Sequence, residues 1–213
     1  MRVFDLTHEI TPDMPVYPGT ERPCFEAANS YEKDGFKETK ISMFTHTGTH
    51  IDPPAHLFSG KKTLDAFEAE QFIGWALVID CTALSEGEAI TMEKLAPYGE
   101  DVLRADFLLF HLGWDTRWGT DAYFGDYPCI DDEVLSLILR GSYKGIGFDV
   151  IGLDPIHDAA LVRHHALFAD RDIINIENLK NLGELPRGLV MFACLPLKIK
   201  DADGAPARAI AWV

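Results

Sequence analysis

The chain has 213 residues, with 19 Lys+Arg against 34 Asp+Glu and a formal net charge of −15 at pH 7. At 47% hydrophobic and 25% charged it has ordinary globular composition, which excludes a disordered polyelectrolyte. The acidity argues against nucleic acid and anionic membrane as partners, because both are held by clustered Lys and Arg, and it leaves a small molecule as the expected partner.

At about 150 residues per domain, a single domain over 1–213 is expected. The N-terminus MRVFDLTHEI lacks the apolar stretch of a secretory signal. The strongest apolar runs, Ala76–Ile79 and Leu189–Leu195, fall far short of the roughly 20 residues that span a bilayer, so a cytoplasmic protein is expected. Cys24, Cys81, Cys129 and Cys194 are scattered without a CxxC and read as free, mostly buried thiols.

In chain order, the first thirty residues read as a short strand and then an ordered loop, lying over a site or across a partner subunit. Thr45–Asp52 reads as extended. Apolar runs rich in β-branched and aromatic residues predict strands over Ala76–Cys81, Asp106–Phe110, Gly145–Phe148, Ile173–Ile176, Leu189–Cys194 and Ala209–Val213. A helix is expected after Thr91 and before Pro97. A second spans Asp132–Arg140, with Asp131 as cap, a Val134, Leu135, Ile138, Leu139 stripe, and Gly141 as stop. The pattern is that of a mixed α/β domain with a substantial mixed sheet.

Chemistry concentrates in Thr45–His56, THTGTHIDPPAH. Three of the chain's eight histidines fall between His46 and His56, where chance places roughly 0.4. The β-branched threonines, Gly48 and the Pro53–Pro54 pair disfavour a helix. On an extended chain His46, Gly48, His50 and Asp52 share one face, which makes an N,N,O ligand set suited to Zn, Mn or Fe with positions left for water. The prolines turn the chain, so His56 swings back beside the metal as a general acid/base and not as a ligand. His164, His165 and Glu177 are candidates to complete the set, since an acid beside an apolar run is costly to bury without a partner.

Asp149 and Asp154 read as loop or capping residues, and His8, His111 and His157 as structural, with His8 and His157 kept as possible pocket-lining residues. The aromatics Trp114, Trp118, Tyr123, Phe124 and Tyr127 either line a pocket for a flat substrate or pin a loop to the core. No GxSxG or GxxxxGK[ST] occurs, which removes a nucleophile elbow and a P-loop.

HTGTHIDPPAH resembles the HxGTHxDxPxH signature of the metal-dependent cyclase family, which includes bacterial kynurenine formamidase and isatin hydrolase. DLTHEITPDMPVYPG, FLLFHLGWDTRWGT, GIGFDVIGLDP, IINIENLKNL and LPLKIKDADGAPARAIAW resemble further segments, so the likeness runs through nearly the whole chain. It implies a swivelling β/α/β fold and a homodimer or homotetramer. It implies one or two divalent metals per subunit, Zn or Mn. His46, His50 and Asp52 match the first site. Asp52, Glu177 and a histidine match the second, and His56 matches the family's acid/base. The twelve-residue spacing to Glu177 favours His165 as that histidine, while the apolar pair Leu167–Phe168 favours His164. The activity implied is hydrolysis of an amide C–N bond, in an arylformamide or a cyclic amide. A lactone hydrolase and a non-catalytic metal-containing binding protein stay open beside it.

Overall fold

Alternating runs of apolar residues produce twelve strands in the computed structural model, which describes residues 1–213. They are β1 (Val3–Asp5), β2 (Cys24–Asn29), β3 (Glu38–Ser42), β4 (His50–Asp52), β5 (Ile73–Asp80), β6 (Ala89–Ile90), β7 (Phe107–His111), β8 (Cys129–Ile130), β9 (Gly145–Phe148), β10 (Ile174–Glu177), β11 (Leu189–Pro196) and β12 (Ala205–Trp212). The main sheet runs β1-β12-β11-β5-β7-β9-β10-β4, and β4 pairs again with β12. That last pairing closes seven strands into a barrel and leaves β1 outside, on β12. The β5, β7, β9 and β10 neighbours are parallel and the other barrel pairings antiparallel. The mixed α/β class and the large mixed sheet match the sequence reading. The closure rests on the short β4, which periodicity does not reveal.

Alternation along each strand divides the core in two. Phe107 and Leu109 of β7, Ile174 and Ile176 of β10, Ile51 of β4 and Ala205, Ala207, Ala209 and Ala211 of β12 contribute to a cluster inside the barrel. Leu108 and Phe110 face the other way, into a larger cluster beneath the helices. The Asp132–Arg140 helix packs there through Val134, Leu135 and Ile138, and Asp131 Oδ1 caps it by accepting from Val134 N at 2.8 Å. A second two-turn helix, Val162–Ala169, buries His164, Leu167 and Phe168. No helix is long and apolar enough to cross a membrane.

Three expectations need correction. The chain is extended only over His50–Asp52; residues 45–49 bend, with Gly48 at φ +66°, a left-handed conformation that suits glycine. The helix after Thr91 is one turn, Met92–Leu95, followed by a tighter turn that takes in Pro97. The ordered loop expected through residue 30 gives way to β2 at Cys24–Asn29, which forms a hairpin with β3. Its residues are almost all exposed, so it carries no burial alternation to detect.

Candidate metal centre

The site is assembled where β4 and β10 run side by side. Their antiparallel register sets Asn175 opposite Asp52 and Glu177 opposite His50. The bend at Gly48 brings His46 to the same place, so the ligand set of the first triad forms although the chain there is not a strand. Asp52 Oδ1 lies 2.7 Å from His46 Nδ1 and 3.2 Å from His50 Nε2. A Cβ at Gly204 would collide with the His46 ring, so a glycine is needed there. His50 Nδ1 sits 2.8 Å from the Gly48 carbonyl, which directs Nε2 into the site. That carbonyl also accepts from Asn178 Nδ2 at 2.8 Å, and Asn178 Oδ1 accepts from the Tyr123 hydroxyl at 2.6 Å.

The second triad comes from β4, β10 and the Val162–Ala169 helix. His164 Nε2 lies 3.2 Å from Glu177 Oε1 and 3.6 Å from Asp52 Oδ2. His165 does not join it. Its side chain is exposed, its Nδ1 bonds the Leu161 carbonyl at 2.9 Å, and its ring packs edge-on against Phe58. The His165 expectation fails because neighbouring positions on a helix point about 100° apart. The signal that picks His164 was present in the sequence: with Leu167 and Phe168 it forms an i, i+3, i+4 stripe, and all three are buried.

Four groups of donor atoms lie close enough to hold a cation, and two of them, His46–His50–Asp52 and Asp52–His164–Glu177, share Asp52; the others are His46–His56–Asp203 and His111–Asp115–Asp149, both with an exposed or half-buried acid. The donors are imidazole nitrogens and carboxylate oxygens, the chemistry that Zn and Mn sites use. Burial alone would lower the His50 pKa, but Asp52 and Glu177 beside it outweigh that and raise it to about 9. Burial likewise opposes charge on His164, and Asp154, Asp52 and Glu177 lift its pKa well above 6.5. The three imidazoles hold Asp52 well below the usual carboxylate range in spite of its burial.

Pro54–His56 forms a single tight turn, which carries the His56 ring back to 4.1 Å from that of His46. Burial pulls the His56 pKa down to about 4, against the pull of Asp52 and aided by the neighbouring imidazoles. Both triads and His56 line a cavity of about 510 Å³. Its walls are Pro15, Val16 and Tyr17 from the N-terminal loop, with Phe44, Ile151 and Leu161. That loop does lie over a site, as one of its two readings had it.

The pocket reading of the downstream aromatics is not what forms. Trp114, Tyr123 and Tyr127 are buried in the core beneath the helices, and Trp118 stacks on His8 at 3.9 Å. Tyr17 and Phe44 supply the aromatic wall instead. His8 is buried away from the cavity, and His157 is exposed outside it. Asp149 is committed to Leu112 N and Trp114 N, as a loop residue would be. Asp154 has a larger part than capping: its Oδ2 accepts from His164 Nδ1 at 2.7 Å. Asn178 and Asp203, the latter 3.4 Å from His46 Nε2, are contacts that the sequence reading missed.

A family model described as a putative cyclase matches residues 4–155. Kynurenine formamidase of Bacillus thuringiensis (strain Al Hakam) is 31% identical over 210 residues, which cover 97% of this chain and 95% of that one. Kynurenine formamidase of Salinibacter ruber is 28% identical over 216 residues, covering 99% and 97% of the two chains. Isatin hydrolase A from Labrenzia aggregata, solved with benzyl benzoate, superposes with a TM-score of 0.84 at 29% identity, covering 99% of this chain and 93% of that one. The chain is a member of the putative cyclase family, over a stretch that includes the His46–His56 segment and the Asp154 loop.

Proposed function

We propose that the chain is a metal-dependent hydrolase of a non-peptide amide C–N bond, acting on an arylformamide such as N-formylkynurenine or on a cyclic amide such as isatin. The observation that carries this reading is the pair of His/carboxylate triads sharing Asp52 at one cavity, with the unprotonated His56 beside them. The similarity to kynurenine formamidases and to isatin hydrolase A supports the same class of bond.

His46, His50 and Asp52 would hold one divalent ion, Zn or Mn, and Asp52, His164 and Glu177 a second. Such an ion polarises a carbonyl and makes water acidic enough to give hydroxide near neutral pH. The chain's own groups supply the rest. His56 is neutral at pH 7, so it accepts a proton as water adds to the carbonyl and returns it to the departing nitrogen. Tyr17 and Phe44 offer flat apolar surface to an aromatic substrate. The Gly48 carbonyl and Asp154 fix the rings of His50 and His164.

A cytoplasmic setting and an oligomer complete the reading. Four unpaired cysteines support a reducing compartment. Exposed Phe25, Phe36 and Ile41 on the β2–β3 hairpin support contact with another copy, which sedimentation velocity would test.

The deciding experiment is hydrolysis of N-formylkynurenine and of isatin by the purified chain loaded with Zn or Mn, with His56→Ala alongside. Turnover of either substrate that the substitution abolishes is the expected result. Stoichiometric metal with no turnover of either would overturn the catalytic reading.

A further inference from the structure

Asn175 is fully buried, and its Oδ1 is one of three buried side-chain polar atoms with no hydrogen-bond partner. Polar β10 residues point toward the site: Asn175 shares a face with Glu177, and its register partner is Asp52. Its Nδ2 lies 2.8 Å from Glu177 Oε1, 3.2 Å from Asp52 Oδ2 and 3.2 Å from His164 Nε2. An amide nitrogen has two hydrogens, one for each carboxylate, while His164 Nε2, a donor when the ring is charged, is left facing the amide with no hydrogen to accept.

The separations say what else this end of the amide can do. His164 Nε2 stands 3.2 Å from Glu177 Oε1 and 3.6 Å from Asp52 Oδ2, so five of the six distances among the four atoms fall between 2.8 and 3.6 Å. Four ligand atoms at the usual Zn–N and Zn–O lengths stand about 2.8–3.6 Å from one another. The amide end therefore occupies a corner of such a cage and not its centre. At a corner, an NH2 group would turn its hydrogens on a cation, whereas an oxygen would bind it. The two ends of the amide have nearly the same shape and exchange by a half-turn of the last side-chain bond.

We propose that Asn175, through Oδ1, is a fourth ligand to a divalent ion held with Asp52, His164 and Glu177. Three oxygens and one imidazole nitrogen form a set that favours a harder ion such as Mn. The proposal rests on the metal-centre reading above and deepens it by one residue. With Nδ2 turned inward, the amide serves the two carboxylates and orphans Oδ1; with Oδ1 turned inward, the ion neutralises the carboxylates and the NH2 takes the buried position without a partner.

The test is titration of the purified full chain with Mn, read by calorimetry for stoichiometry and by EPR for a coupled Mn pair, in wild type, Asn175→Val and Asn175→Asp. Thermal unfolding of each variant checks that it is folded. Wild type is expected to bind two Mn per chain and show the coupled signal. Asn175→Val should keep the first Mn at unchanged affinity and weaken the second at least about tenfold. Asn175→Asp, which offers an oxygen but no N–H, should keep both. Two Mn at wild-type affinity in Asn175→Val, or loss of the second ion in Asn175→Asp alone, would overturn the ligand role and leave the metal centre standing. No Mn bound by wild type would overturn the metal centre and this proposal together.

Discussion

The Asp154 carboxylate holds His164 in two ways at once. Its Oδ2 accepts from the imidazole Nδ1 at 2.7 Å and from the His164 backbone N–H at 3.0 Å, while its Oδ1 accepts from Arg163 N at 2.7 Å. The second and third of these bonds satisfy free donors in the first turn of the helix that carries the histidine. One side chain thus ends the helix and aims the ring that the helix presents. Asp154→Ala is expected to cost about 1–2 kcal/mol of stability through the lost cap. It should also weaken metal binding at the Asp52–His164–Glu177 set by about 10–100-fold through the lost orientation. Thermal melts and metal titration read the two effects separately; unchanged metal affinity would sink the orienting role.

His56→Ala is expected to lower kcat by about 10²–10⁴-fold while bound metal stays at the wild-type level. Replacing His50 or Asp52 by Ala should lose metal and turnover together. Because burial holds His56 near pKa 4, its base form is present throughout pH 5–8. The wild-type kcat/KM profile should therefore show no acid limb at 6.5 that His56→Ala removes. Metal analysis and pH–rate profiles of the variants check this, and full turnover in His56→Ala would remove the acid/base assignment.

Tyr123 belongs to the aromatic cluster, yet it acts on the site through one hydroxyl. Its bond to Asn178 Oδ1, and that of Asn178 Nδ2 to the Gly48 carbonyl, support the atom that orients His50. Tyr123→Phe leaves the ring packed and strands a buried acceptor, at about 1–2 kcal/mol. A drop in Tm of roughly 2–8 °C is expected for a chain of this size. Metal affinity should fall with it. Stability equal to wild type would mean that the hydroxyl contributes nothing.

The barrel strands were legible because they combine apolar faces with β-branched residues, and Gly145–Phe148 was placed to the residue. The His46–His50–Asp52 set was legible from parity, although part of that parity comes from a bend at Gly48 and not from a strand. What could not be read was anything decided by contact between distant segments. β4 is three residues long and earns its place by pairing on both edges, with β10 and β12. Asn175 sits in an apolar run as one polar residue, and only its register against Asp52 gives it a role. Asp154 looked like a cap because capping is local; its hold on the His164 ring is a matter of where the helix packs.

Gly204 is a direct test of how closely the first triad is packed. Its Cα stands against the His46 ring, and an added methyl would overlap ring atoms. Gly204→Ala is expected to push His46 away from Asp52, which lies 2.7 Å from it, and to weaken the first metal at least about tenfold. The Asp52–His164–Glu177 set should be spared. Titration that finds both affinities unchanged would show that the ring moves aside without cost.

The protons on the site predict how stability and metal binding depend on pH. His50 has a folded pKa of about 9 against 6.5 unperturbed, so folding favours its charged form. Its contribution is fully present below pH 6.5 and is lost as pH rises through 9. His164, raised in the same direction, adds to that slope. Asp52 has the opposite sign, since its depressed pKa gives stability that is lost only in acid, below the ordinary carboxylate range. The chain stripped of metal with EDTA should therefore lose Tm between pH 6.5 and 9. A divalent ion must displace the His50 proton to bind, so its affinity should rise about tenfold per pH unit for each proton displaced, levelling off near pH 9. Metal should also flatten the fall in Tm, because the ion replaces the proton as the positive partner of Asp52 and Glu177. Melts at pH 6.5 and 9, with EDTA and with Zn, measure both slopes. A stripped chain that gains stability over this range would show that the His50 proton is not held by the two carboxylates.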